Sequence, residues 1–195
     1  MKIGSLFVLI ALSGRLSAQV VFGNPTFQVL YYGYENSVDI GTIDGREFEL
    51  KSDDIQIKNR QDGYVLIPSS REKAELMLID PVKGVCFDTI HFEVRILPAP
   101  VVFFGAASSG EKVRLVDNVI SAHYDASIPL RASFKVIGMS SVIGEGRPIT
   151  QSGNIIGEAM MTKLKALKPG EIFTITVTVQ GSDGLKREIK GSWKL

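Results

Sequence analysis

The 195 residues include one cysteine, two histidines and one tryptophan, and each scarcity closes off a chemistry. With Cys86 alone, an intramolecular disulfide cannot form, nor can a zinc site built on two or four thiolates. Its neighbours Val85 and Phe87 predict a buried, inert thiol. Two histidines, His91 and His123, leave few ways to pair a nucleophile with a base. An excess of one charge is also missing. Twenty-two Lys and Arg face 21 Asp and Glu, without the surplus of cations that a phosphate backbone requires, so a nucleic-acid partner is not expected. The apolar run from Leu6 to Leu12 is far shorter than the roughly 20 residues of a membrane-spanning helix.

That run, preceded by Lys2 and followed by Ala18 before Gln19, predicts a cleavable export signal over residues 1–18 and a periplasmic or secreted protein. Its removal takes Lys2 and Arg15 and no acid, leaving 20 basic side chains against 21 acidic ones.

The remaining chain is rich in short β patterns. Ile55-Gln56-Ile57 alternates strictly, Tyr64 to Ile67 reads as a strand ended by Pro68, and further strands are expected at 27–32, 38–40, 47–50, 74–79 and 85–96. Turn chemistry at Asp44-Gly45 and Asp62-Gly63 separates them. No helical period intervenes, which predicts a β-sandwich over 19–96. Pro98 and Pro100 remove two backbone donors within Leu97-Pro98-Ala99-Pro100, so 97–100 reads as a semi-rigid junction between domains.

A second β-rich domain is expected over 101–195, with strands at 101–104, 113–116, 119–121 and 132–139 and a mobile glycine-rich loop over 144–153. One short helix follows, capped by Asn154. Ile155, Ile156, Ala159, Met160, Leu164 and Leu167 form its apolar stripe, Lys163 interrupts that stripe, and Pro169-Gly170 stops the helix. Gly157 inside it costs about 1 kcal/mol relative to alanine. Phe173, Ile175, Val177 and Val179 alternate with Thr174, Thr176 and Thr178 ahead of a hairpin turn at 181–184. Trp193 reads as a core or domain-edge anchor. The predicted fold class is mainly β, with two consecutive β-sandwich-like domains, the second carrying one short helix.

A search for chemistry ends without a catalytic set. Cys86 and Asp88 share one parity of a predicted strand and His91 has the other, so Cys86 and His91 lack hydrogen-bond reach. Ser121, His123 and Asp125 are close in sequence but meet no geometric test for a triad. Gly138-Met139-Ser140-Ser141-Val142 lacks the second glycine of a nucleophile elbow, and the acids follow no calcium-loop spacing. No cofactor, metal or small-molecule substrate is expected, and no single binding residue stands out. Tyr31, Tyr32, Tyr34 and Trp193 are the side chains that a carbohydrate- or surface-binding accessory protein would use as a stacking platform, an alternative function. Strand alternation separates Tyr31 from Tyr32.

Several segments carry a family likeness in the order they occur. Leu30-Tyr31-Tyr32-Gly33-Tyr34-Glu35-Asn36-Ser37-Val38 and Gly63-Tyr64-Val65-Leu66-Ile67-Pro68 belong to the first domain. Phe92-Glu93-Val94-Arg95-Ile96-Leu97-Pro98-Ala99-Pro100-Val101 spans the junction. Phe134-Lys135-Val136, Leu164-Lys165-Ala166-Leu167-Lys168-Pro169-Gly170-Glu171 and Asp183-Gly184-Leu185-Lys186-Arg187-Glu188 belong to the second domain. Together they resemble the C-terminal periplasmic domains of GldM, the gliding-motility and type IX secretion family. The resemblance implies a non-enzymatic interaction module of the envelope. It also implies a homodimer and outer-membrane secretion-ring components as partners. The family's membrane helix is replaced here by the cleavable-looking signal, and its two membrane-proximal domains have no counterpart.

Overall fold

Alternation of buried and exposed residues along short segments dictates a mainly β architecture. The computed structural model describes residues 20–22, 28–144 and 147–195, so the expected signal over 1–18 lies outside the described residues. In chain order the first half forms β1 (Val20–Phe22), β2 (Val29–Tyr31), β3 (Asn36–Val38), β4 (Ile40–Thr42), β5 (Glu49–Lys51), β6 (Ile55–Arg60), β7 (Gly63–Pro68), β8 (Lys73–Ile79) and β9 (Cys86–Arg95). One sheet runs β2-β9-β8-β5 and a second runs β3-β7-β6, while β1 pairs with β4. Leu30, Leu66, Leu76, Leu78, Ile90 and Phe92 fill the first core.

The second half forms β10 (Val101–Phe104), β11 (Ala107–Ser108), β12 (Ile120–His123), β13 (Phe134–Ser141), β14 (Ile149–Ser152), α1 (Glu158–Lys165), β15 (Ile172–Gly181) and β16 (Lys186–Lys194). Its sheets are β11-β10-β12 and β14-β13-β15-β16. Phe104, Ile120, Met160, Leu164, Ile175 and Trp193 belong to a separate buried cluster. As the alternation predicts, Phe173, Ile175, Val177 and Val179 all point inward.

Several expectations need correction. Cys86 is exposed, because the β8–β9 register slips between Leu78 and Ile79 and carries the first residue of β9 out of the alternation that buries Ile90, Phe92 and Val94. The expected strand over 113–116 does not form; the Val113 amide instead bonds the Lys194 carbonyl at 2.8 Å. The glycine-rich stretch over 144–153 contains β14, paired to β13. The helix starts later than its apolar stripe. The Asn154 carbonyl accepts from the Ile120 amide and the Ile156 amide donates to the Asn118 carbonyl, at 2.8 and 2.7 Å. These bonds hold 154–156 extended, leaving Ile155 exposed and Asn154 no cap. Gly157 is the N-cap residue, so the cost of glycine in a helix interior does not arise. Met160 and Leu164 are buried, Ala159 is exposed and Lys163 is half-buried.

Trp193 anchors the second core. Its ring meets Phe104 and Phe173 at centroid distances of 5.9 and 5.8 Å, and Nε1 donates to the Ala107 carbonyl at 3.1 Å. Gly191, two residues earlier and on the same face, makes room for it: a Cβ there would stand 2.2 Å from the indole. Gly191→Ala should therefore destabilise the protein by about 1–3 kcal/mol through overpacking, whereas Lys190→Ala should stay within about 0.5 kcal/mol. Thermal unfolding followed by Trp193 fluorescence checks this, and equal midpoints for the two variants would refute the packing account.

Candidate interaction cleft at the junction

The turn after β2 builds the first wall of the site. The Tyr34 amide donates to the Tyr31 carbonyl at 3.2 Å, and Gly33 takes φ +61° at the position where such a turn requires a left-handed residue. Asn36, at the start of β3, holds the turn closed. Its Oδ1 accepts from the Tyr31 amide at 2.8 Å, and its Nδ2 donates to the carbonyls of Tyr31, Tyr34 and Leu66 at 2.9–3.0 Å. The side-chain amide thus presents a backbone-like donor and acceptor to the open edge of β2. It also ties that edge to β7 in the opposite sheet.

The β15–β16 turn sits directly on this loop. A Cβ at Gly33 would lie 3.0 Å from the Asp183 carbonyl oxygen, so this contact too requires glycine. Asp183 is only 7 % exposed. Its carboxylate accepts from the Leu185 amide at 3.1 Å and from Arg187 Nη1 at 3.0 Å, with a second, shorter bond from Nη2. Nη2 also donates to the Leu97 carbonyl at 3.1 Å, and the guanidinium lies over the Phe134 ring. One residue along, the Tyr124 hydroxyl donates to the Pro98 carbonyl at 2.8 Å, and its ring meets Phe134 edge-on at 5.1 Å. The junction carbonyls of Leu97 and Pro98 are therefore both held by side chains of the second half.

Burial raises the Asp183 pKa, but the Arg187 and Leu185 hydrogen bonds outweigh it and hold the carboxyl below its ordinary value. Burial pushes the Tyr124 phenol up to about 12, so it donates to Pro98 at every physiological pH.

Beside this clamp lies a cleft of about 1010 Å³ between the two halves. Tyr31, Tyr34 and Arg95 line one side, and Ser127, Ile128, Pro129 and Leu130 the other. The two tyrosines meet edge-to-face at 6.4 Å and 88°. At the rim, Glu35 pairs with Lys58 and Arg60 at 2.7 and 3.1 Å.

The residues considered for chemistry are placed apart. Cys86 Sγ contacts the Asp88 carbonyl and Thr89, while exposed His91 bonds Glu75 at 3.1 Å. His123 stacks on Phe103 at 4.0 Å and bonds the Tyr124 carbonyl through Nδ1. Asp125 accepts from the amide and hydroxyl of Ser127, which closes a turn and joins neither His123 nor Ser121. Among the described residues, no three His, Cys, Asp or Glu side chains converge as around a metal ion. The four aromatics of a stacking platform are also dispersed. Tyr32 lies under Arg71 at 5.0 Å, Trp193 is buried, and Tyr31 with Tyr34 form an angled pair.

Replacing Arg187 by alanine leaves a buried carboxylate without its cation, which should cost about 3–5 kcal/mol. The pH dependence separates this from loss of packing. In the wild type the depressed Asp183 pKa supplies stability that is complete above the unfolded value near 3.8 and is lost as pH falls through the folded value. In Arg187→Ala the unpaired Asp183 is held above its ordinary value, so acidification narrows the stability gap between the two proteins. Denaturant titrations from neutral pH to pH 3 check this; a constant gap means that the cost does not come from the unpaired carboxylate.

No protein-family model matches the chain, and no curated protein matches it. Among solved structures, the adhesin InvE of Yersinia pseudotuberculosis is similar at 10% identity with a TM-score of 0.28. That likeness covers 92% of this chain and 59% of the adhesin chain, so this chain spans less than two thirds of that structure's length.

Proposed function

We propose that this chain is a non-enzymatic protein-interaction module of the bacterial envelope, periplasmic or secreted, comparable in role to the distal part of GldM in gliding motility or type IX secretion. Its partners are envelope proteins, outer-membrane secretion-ring components among them, and a second copy of itself. The observation that carries this reading is the clamped junction. Arg187 and Tyr124 hold the link between the halves through its own carbonyls, and a cleft with tyrosine on one wall and the Ile128–Leu130 segment on the other stays open beside it. Fixed geometry around an aromatic-lined cleft suits recognition of a protein segment, because little ordering entropy is lost when the partner binds.

The reading is tested by crosslinking pull-down from the native envelope fraction, comparing wild type with a Tyr31→Ser, Tyr34→Ser double variant and with Cys86→Ser and His91→Ala. The double variant should lose partner recovery while the two single variants keep it. Full recovery by the folded double variant removes the cleft from the role, and a hydrolytic turnover abolished in folded Cys86→Ser or His91→Ala overturns the non-enzymatic reading.

A further inference from the structure

The charge along the chain is balanced in sum and divided in space. Residues 19–96 contain 13 Asp and Glu against 8 Lys and Arg, whereas residues 101–195 contain 8 against 12. Away from the junction, the end of the first half presents three exposed aliphatic side chains and that of the second half presents one, Ile172.

In the first half that end is formed by the 80–85 turn and the 43–48 loop. Val82, Val85 and Ile43 are 91%, 59% and 64% exposed. The turn is firmly built: Asp80 Oδ1 accepts from the Val82 and Lys83 amides at 3.0 Å, and the Asp80 amide donates to the Val85 carbonyl at 2.9 Å. Arg46, 4.9 Å above the Phe87 ring, joins the loop to it. Of the charges around this apolar tip, Asp44 pairs with Arg46 and Asp80 with Lys83, the two cations being 41% and 75% exposed, and the exposed Glu47 and Glu49 tip the balance to acidic.

In the second half, β15 runs ten residues from Ile172 to the turn at the junction, a rise of roughly 30 Å. At the far end Ile172 is 71% exposed and pairs with Lys194, which in turn bridges to Lys112. Lys112, Lys168 and Lys194 are exposed there. The two acids among them, Glu111 and Glu171, are turned onto the backbone amides of Ser108 and Lys168 at 2.7 Å.

We infer that the partner for each end is the opposite end of a second copy, so that the chain associates head-to-tail. This rests on the interaction-module reading and names one of its partners. An acidic rim around Val82 meets a basic rim around Ile172, with aliphatic contact at the centre and opposite charge at the edge. Such a contact is heterologous and leaves one free end of each kind, so it adds further copies rather than stopping at two.

Sedimentation of the purified chain over a range of concentrations, at low and high salt, tests this. The mass should rise past a dimer with concentration and fall as salt is added. The double variants Glu47→Lys with Glu49→Lys, and Lys112→Glu with Lys168→Glu, should each be monomeric. An equimolar mixture of the two should regain association, because each reversed end meets its complement. A wild type that is monomeric throughout, association that stops at a dimer, or a mixture that stays monomeric overturns the inference. Monomeric wild type with undiminished envelope pull-down would sink the head-to-tail contact and leave the interaction reading standing.

Discussion

Arg187 is the one cation of β16 drawn away from water, with its side chain only 12% exposed against a carboxylate that is fully enclosed. Two buried charges need both a close pairing and further hydrogen bonds to offset their desolvation. Here the further partners are the backbone at Leu185 and the junction carbonyl of Leu97. The consequence reaches beyond the second half, because the third partner belongs to the link itself. The semi-rigid two-proline connection becomes part of the hydrogen-bonding of β16.

That constraint determines what the rest of the molecule can present. The β15–β16 turn is seated on Gly33, which sets the Tyr31–Tyr34 loop against the second half, across the cleft from the 127–130 segment. The Asn36 amide makes this possible from the other side by closing the edge of β2, which would otherwise expose unpaired backbone groups to the cleft. At the far ends of the two halves, Ile43, Val82 and Val85 on one and Ile172 on the other are among the aliphatic side chains that reach solvent.

Much of the fold was legible in the sequence, and the reason is periodicity. Strict alternation in β15 and the Asp-Gly turn signals at 44–45 and 62–63 translate directly into observed strands. The helix start was misplaced because Ile155 and Ile156 fit a helical stripe by spacing, while long-range bonds to Asn118 and Ile120 hold them extended. Cys86 was misread because a register slip is a property of two strands and leaves no mark in one. The site was the least legible part. Asn36 lies between two expected strands and Asp183 in the expected hairpin turn, with Arg187 just after it; their roles come from partners up to 90 positions away. The four-residue spacing of Asp183 and Arg187 across a tight turn was the signal available, and it gains meaning only with a buried third partner.

The central claim is that this pair fixes the two halves relative to one another. Spin labels on the native exposed Cys86 and on an engineered Lys190→Cys would report the distance between them by pulsed electron resonance, at dilution that keeps the protein monomeric. The account predicts a single narrow distance distribution that broadens when Arg187→Ala is added. A broad distribution in the protein with Arg187 intact, or a narrow one that Arg187→Ala leaves unchanged, would contradict it.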